Sequence, residues 1–338
     1  MLPMQEDERA RIGLMFAGAP AVPEMVRLAK RAEDAGYESV WMAETRMTRD
    51  GFVPLAAMAM ATETIKLGTG IVNVYTRGAA VMALSFATLA ELAPGRTMVG
   101  LGAGSPMVLA PQGFAWKRPL GRLREYVEVM RPLLRGEPVT YAGDAVTLVD
   151  ARIEDVLAEP TQGANEPDQL PFYLGVTGQK AVELAGEIAD GTFYNVCLPT
   201  QYVTRADGWL ATGAARVERQ HASIDVAMAI LTSPDRDSAT GKARAHEFVS
   251  LYLSLFPNIA RETGVDEELV TRTRAAFEEG GVAAAVKQMP LEVVDRLCAA
   301  GTPEECQARI DEYRAAGVQL PILIALGDSI ELAVDTLR

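Results

Sequence analysis

The sequence predicts an α/β protein of the (β/α)8 TIM-barrel class. Eight short apolar runs are each followed by a helical pattern, and eight right-handed units can close into a barrel. The first four units follow one another without a break, which implies parallel strands with helices outside them. The first run leads into Ala17, Gly18, Ala19 and Pro20, not into the GxGxxG turn that opens a doubly wound dinucleotide-binding sheet.

Residues 11–16 are the first strand. Pro23 stands near the start of a helix whose Met25, Leu28, Ala29 and Ala32 recur at helical spacing, and Gly36 stops it. Residues 39–42 read as strand, 52–62 as helix and 65–72 as a third strand. A helix over 79–92 ends at Pro94 and Gly95, and strand 97–101 runs into Gly102, Ala103 and Gly104. A long helix over 118–134 presents Leu120, Leu123, Val127, Met130 and Leu134 on one face.

The rhythm then breaks. Residues 136–170 hold turn residues and two alternating runs, 139–141 and 145–149, a surface hairpin plus loop inserted in the barrel. It returns with strand 172–174, helix 179–189, strand 191–194, a helix to about 218 and strand 223–231. Residues 242–289 are helical in pattern and too long for one connection, so a helical insertion is expected over about 242–297. Thr302, Pro303 and Glu305 spell a helix start: a capping Thr, Pro at the first position, Glu three residues after the cap. Strand 319–324 and helix 329–337 close the chain. The whole of 1–338 reads as one barrel domain.

Composition excludes several function classes. Against 45 acidic residues stand 32 basic ones, a net charge of −13, opposite to the basic footprint of nucleic-acid or anionic-lipid binding. The three cysteines, Cys197, Cys298 and Cys306, form no CxxC pair, and His221 and His246 stand at no metal-ligand spacing, so no metal site is expected. The acidic start MLPMQEDERA is not a signal peptide, and no apolar run reaches the ~18 residues of a membrane span. A cytoplasmic location is expected.

Barrel active sites gather at the C-terminal ends of strands, so the residues just after each run carry the information. After the second strand stands Glu44, open to two readings: a cofactor or proton-transfer contact, or an ion pair with Arg46 or Arg77. After the third come Asn73, Tyr75 and Arg77, the last suited to an anionic group or to pairing with Glu44. Gly102, Ala103, Gly104 and Ser105 follow the fourth strand; Gly175, Val176, Thr177 and Gly178 follow the fifth and open a helix. Small residues admit close approach of a flat ring, and a helix N-terminus suits a phosphate. Glu44, Tyr75 and Arg77 are the catalytic candidates. His221, His246 and Cys197 read as structural. Met107 and Trp116 read as pocket wall or loop packing.

Four segments carry a resemblance: AEDAGYESVWMAET (32–45), IKLGTGIVNVYTR (65–77), ATLAELAPGRTMVGLGAGSP (87–106) and PFYLGVTGQKAVELAGEIADG (171–191). Here the chain resembles the bacterial luciferase-like superfamily, in its deazaflavin-dependent branch of methylenetetrahydromethanopterin reductase-like oxidoreductases. The resemblance implies a barrel binding coenzyme F420, with FMN as the alternative. It implies a non-prolyl cis peptide at Gly70 and Ile71, backing the central ring of the cofactor, with Asn73 touching that ring through its backbone. It further implies that Glu44 and residues 102–105 line the cofactor, that residues 175–178 take its phosphate, and that the protein is a homodimer or higher homo-oligomer. Glu44 and Thr45 replace the Asp-His of many members, and Ser105 replaces the glutamate of the sugar-phosphate dehydrogenase relatives. The expected activity is hydride transfer from reduced F420 to an unsaturated or imine-type small molecule. The rivals are an FMN-dependent monooxygenase and a non-catalytic flavin-binding homologue.

Overall fold

The computed structural model describes residues 10–45, 47–154 and 170–338. In chain order the elements are β1 (Gly13–Phe16), α1 (Val22–Asp34), β2 (Ser39–Met42), α2 (Val53–Ala61), β3 (Lys66–Thr69), β4 (Val72–Asn73), α3 (Ala79–Leu92) and β5 (Thr97–Gly102). There follow α4 (Pro106–Leu109), α5 (Pro119–Leu134), β6 (Val139–Ala142), β7 (Thr147–Ala151), β8 (Phe172–Val176), α6 (Gln179–Ile188), β9 (Gly191–Tyr194) and α7 (Thr200–Arg216). The last are β10 (Asp225–Pro234), α8 (Ser238–Leu255), α9 (Pro257–Glu262), α10 (Glu267–Val286), α11 (Leu291–Asp295), β11 (Ala299–Gly301), α12 (Pro303–Ala315), β12 (Leu320–Ala325) and α13 (Ile330–Thr336).

Eight parallel strands close on themselves. The pairing runs from β1 through β2, β3, β5, β8, β9, β10 and β12, and β12 pairs back with β1. The barrel interior is packed around Trp41 of β2. Its ring meets Tyr173 of β8 at 5.2 Å and Phe193 of β9 at 5.1 Å, both edge-on, a favoured aromatic geometry. Gly68 makes room for it: a Cβ there would lie 2.6 Å from the indole.

At the N-terminal face Arg11 holds the strand starts together. It donates to Glu38 before β2 (2.6 Å) and to Asp225 at the start of β10 (2.8 Å), and Tyr173 also donates to Asp225 (2.6 Å). Such bottom-face networks support a barrel's stability, while its chemistry lies at the other end.

The structure departs from the sequence reading in four places. The strand expected over 65–72 is interrupted: β3 ends at Thr69, and β4 pairs with β5 through Val72 with Leu101 and Asn73 with Gly102. Thr69 substitutes side-chain bonds for ladder bonds there, its hydroxyl donating to the Gly100 carbonyl (2.6 Å) and accepting from the Gly100 N–H (3.1 Å). The peptide between Gly70 and Ile71 is cis. Second, the helical stretch begins at Ser238 and divides into four helices, broken where Pro257 and Pro290 stand and kinked at Gly281, whose φ is +68°. Third, β11 was not expected; it pairs with the end of β10. Fourth, α4 is an added turn inside the loop after β5. The hairpin is β6 with β7, and the loop over 155–169 lies outside the described residues. Thr302 and Glu305 form the capping box their spacing predicts. No helix among the described residues is long and apolar enough to cross a membrane.

Candidate active site

A cavity of about 400 Å³ opens at the C-terminal ends of β2 and β4. Glu44, Asn73 and Arg77 line it, as does Thr45. Residues not singled out from the sequence join them: Met47, Thr48, Arg49, Asp50, Thr76 and Gln112. Glu44 follows β2 directly, and its backbone N–H reaches across to the Ile71 carbonyl (3.3 Å).

Arg77 organises this wall. It donates to Glu44 Oε2 at 2.7 Å and bonds Asp50 with its other terminal nitrogen. Its guanidinium lies 5.1 Å from the Phe52 ring centroid, and Phe52 packs edge-on against Phe86 of α3. Asp50 Oδ1 accepts from the N–H groups of Phe52 (2.8 Å) and Val53 (2.7 Å), so one carboxylate caps α2 and holds the arginine. Glu44 Oε1 accepts weakly from Gly51 N–H at 3.3 Å. Both oxygens of the Glu44 carboxylate thus accept a hydrogen bond. Of its two expected partners, Arg77 is the one observed; Arg46 lies outside the described residues. Of the cavity residues that sequence reasoning missed, Asp50 is the one that binds Arg77. Its signal was present, a carboxylate immediately ahead of a helix start.

Asn73 is buried, and its side-chain oxygen accepts from Tyr75 N–H (3.0 Å) and Thr76 N–H (3.1 Å), an Asx turn that shapes the exit from β4. Tyr75 is turned elsewhere. It is not among the cavity's lining residues, its hydroxyl donates to the Lys117 carbonyl (2.9 Å), and the Arg122 guanidinium covers its ring at 4.7 Å. Burial pushes its pKa up. These contacts hold the loop before α5, and they supply no proton to the cavity.

The two glycine loops lie side by side, since β5 pairs with β8 and Gly102 stands opposite Gly175. Ile71 rests on both. A Cβ on Gly102 would sit 2.4 Å from Ile71 Cδ1, and one on Gly175 3.1 Å from Ile71 Cγ2. The sequence reading assigns these glycines to close approach of a ring; in the structure they first make room for the side chain of Ile71 and so seat the backbone of residues 70–71 above them. Gly104 has φ +61° and a virtual Cβ 3.4 Å from that of Asn73, so that turn needs glycine. Ala103 accepts from the Trp116 indole N–H at 2.8 Å, which ties Trp116 to this loop; Trp116 is not among the residues that line the cavity. The Ser105 hydroxyl is buried without a hydrogen-bond partner, as is that of Thr76 in the cavity wall. Buried hydroxyls are normally satisfied, so both are open to a ligand.

Val176 is buried, and Thr177 accepts from Tyr202 at 2.5 Å, fixing the turn into α6. Gly178 caps α6 without a side chain, and a Cβ there would meet nothing within 4 Å. The space beside Gly178 at the start of α6 is therefore open, and a helix start is a place that suits an anion. His221 pairs with Asp207 and His246 with the Met289 carbonyl, away from the cavity. Burial pushes the Cys197 thiol well up, which leaves it unreactive.

Compared with known proteins, residues 8–320 match the family model described as luciferase-like monooxygenase. The chain is 33% identical over 308 residues to the 5,10-methylenetetrahydromethanopterin reductase of Methanolobus tindarius, covering 90% of this chain and 91% of that protein. It is 28% identical over 318 residues to the F420-dependent glucose-6-phosphate dehydrogenase of Nakamurella multipartita, covering 90% and 87%. Its fold is similar to that of the coenzyme F420-dependent tetrahydromethanopterin reductase of Methanopyrus kandleri, with a TM-score of 0.85, 26% identity and coverage of 97% and 98%.

Proposed function

We propose, from the premise that the chain belongs to the luciferase-like monooxygenase family, that it reduces a small unsaturated or imine-type molecule with a hydride from reduced coenzyme F420. The chain is an oxidoreductase and F420 is its cofactor, in line with its relatives. One observation supports placing the cofactor here: Glu44 and Asn73 of the cavity wall flank Ile71, which rests on Gly102 and Gly175, although neither glycine loop lines the cavity itself.

The residues fit a flat ring followed by a phosphate. Unpartnered hydroxyls at Ser105 and Thr76 await an acceptor or donor, and the open start of α6 beside Gly178 suits an anion. In this reading residues 70, 71 and 73 back the ring, residues 102–105 flank it and residues 175–178 hold the phosphate. When bound, F420 supplies the hydride. Glu44, held by Arg77, orients the ring or substrate from the cavity wall. Residues 242–297 border the mouth: Tyr252 of α8 donates to Asn195, just after β9, at 2.9 Å, with Phe248 and Phe256 packed on its ring. That strip limits water access and shapes substrate choice.

The test is a fluorescence titration of the purified protein with F420 and with FMN, followed by turnover of reduced F420 against imines and activated C=C compounds. Preference for F420 with consumption by either substrate type is expected. Preference for FMN would move the oxygen chemistry to first place. Tight F420 binding with reaction only toward alcohols would replace the reductase by a dehydrogenase.

A further inference from the structure

We infer that Arg49 gives the cavity a seat for a carboxylate, so that the small molecule this site takes carries one. The inference rests on the functional reading above and names the substrate class of that same site. Glu44, Arg49, Asp50 and Arg77 are the charged residues that line the cavity. Both carboxylates are already engaged by Arg77, which bonds Glu44 at 2.7 Å and Asp50 with its other terminal nitrogen. Arg49 is not engaged in this way. Asp50 is its neighbour in the chain, yet among the described residues Arg49 forms no ion pair, and its side chain bonds only the Thr48 carbonyl (2.9 Å). That side chain is exposed, so its remaining N–H groups are open to a ligand. A guanidinium presents its N–H donors as a planar fork that matches the two oxygens of a carboxylate.

Two uncharged groups of the wall agree with an anion. Asn73 is 2% exposed; its side-chain oxygen accepts from Tyr75 and Thr76, while its NH2 bonds no described residue. The Thr76 hydroxyl is buried without a partner. Buried donors are normally satisfied, and an acceptor oxygen in the cavity would satisfy these. Charge favours a carboxylate over a phosphate. Arg77 carries one positive charge against two negative ones, and Arg49 brings the wall to neutrality. A carboxylate adds a single negative charge beside Arg49. A phosphate adds nearly two, and no further cation lines the cavity among the described residues. On a molecule of net charge −13 the surface as a whole repels anions, so an anion stays only where a cation is placed for it. Glu44 and Asn73 of the same wall flank Ile71, which puts this seat beside the residues that back the ring in the functional reading.

The experiment is a ligand-observed NMR titration of the full chain, with F420 added, against crotonate and against its uncharged amide, crotonamide, at neutral pH. Wild type is expected to bind crotonate about fivefold more tightly than crotonamide, the scale of a partly exposed ion pair. Arg49→Gln should erase that preference. Arg49→Lys, which keeps the charge and loses the fork, should keep part of it. Raising sodium chloride should narrow the wild-type preference. Wild type that binds crotonate no more tightly than crotonamide, or binds neither, overturns the inference. A preference that survives Arg49→Gln, with circular dichroism unchanged, overturns it as well. So does a tenfold loss of F420 affinity in Arg49→Gln, which would assign the arginine to the cofactor. The functional reading fails by a different sign: wild type that prefers FMN in the fluorescence titration, or consumes no reduced F420, removes the reductase and leaves the carboxylate preference to stand or fall on its own.

Discussion

Arg77 divides its guanidinium between Glu44 and Asp50, and that division decides what a change at position 44 does. In Glu44→Gln the amide can turn its NH2 toward the guanidinium, donor against donor, while Asp50 keeps its half of the arginine. The wall then misaligns without losing the cavity. We expect kcat to fall about 10²-fold, the scale of a small positional error at a reacting centre, with F420 affinity changed less than about tenfold. Wild-type turnover in steady-state assays would remove Glu44 from the machinery. Arg77→Lys should show a similar loss, because a lysine cannot serve two carboxylates in a fork. Gly178 gives a cleaner probe of the phosphate seat. Its φ is −79° and its side-chain space is empty, so Gly178→Ala should leave stability within about 0.5 kcal/mol. Its F420 affinity should drop about tenfold if a phosphate occupies that space, with the phosphate-free chromophore unaffected; equal binding of both by both proteins places the phosphate elsewhere. That Glu44, Asn73 and Arg77 share one cavity wall was legible from their positions after strands. Tyr75 shares that position but is buried away from the cavity with its hydroxyl on the Lys117 carbonyl, a distinction of side-chain direction that a linear pattern does not carry.

Elements are stapled to one another by single side chains, and Glu33 is the clearest case. From the last turns of α1 it accepts N–H bonds from Glu63 (2.8 Å), Thr64 (2.6 Å) and Ile65 (3.0 Å), the residues that lead into β3. Burial would raise its pKa, but the bonds from Thr64, Lys30, Ile65 and Glu63 outweigh it and hold the group at about 2, below its ordinary 4.5. A depressed carboxylate contributes stability that is present above pH 4.5 and is lost as pH falls toward 2. Glu33→Gln should therefore destabilise by about 1–3 kcal/mol at pH 7, and the gap to wild type should narrow below pH 4.5. Urea unfolding at neutral and acid pH checks this, and a gap independent of pH would contradict it. Element existence was readable almost throughout, since apolar period and capping residues are local: residues 39–42, 79–92 and 191–194 match their strands and helix to the residue. The interruption of the third strand was not, because the bonds of Thr69 to Gly100 join residues distant in sequence. The same holds for β11, whose three residues gain strand character only from pairing with β10.

At the scale of the whole molecule, closure of the barrel joins the two ends of the chain. Strand β12 pairs back with β1, and Arg11, just before β1, bonds both Glu38 before β2 and Asp225 at the start of β10. The eight-unit rhythm was legible in the sequence, but this clasp was not, because Arg11 and Asp225 stand 214 residues apart. It lies at the N-terminal face, opposite the end where the cavity opens. Arg11→Ala leaves both half-buried carboxylates without that partner, so it should destabilise the chain by about 1–3 kcal/mol in urea unfolding. F420 affinity of the folded variant should stay within about twofold of wild type, since among the described residues Arg11 bonds none that lines the cavity. A parallel loss of affinity at temperatures where the variant is folded would show instead that the two faces of the barrel are coupled.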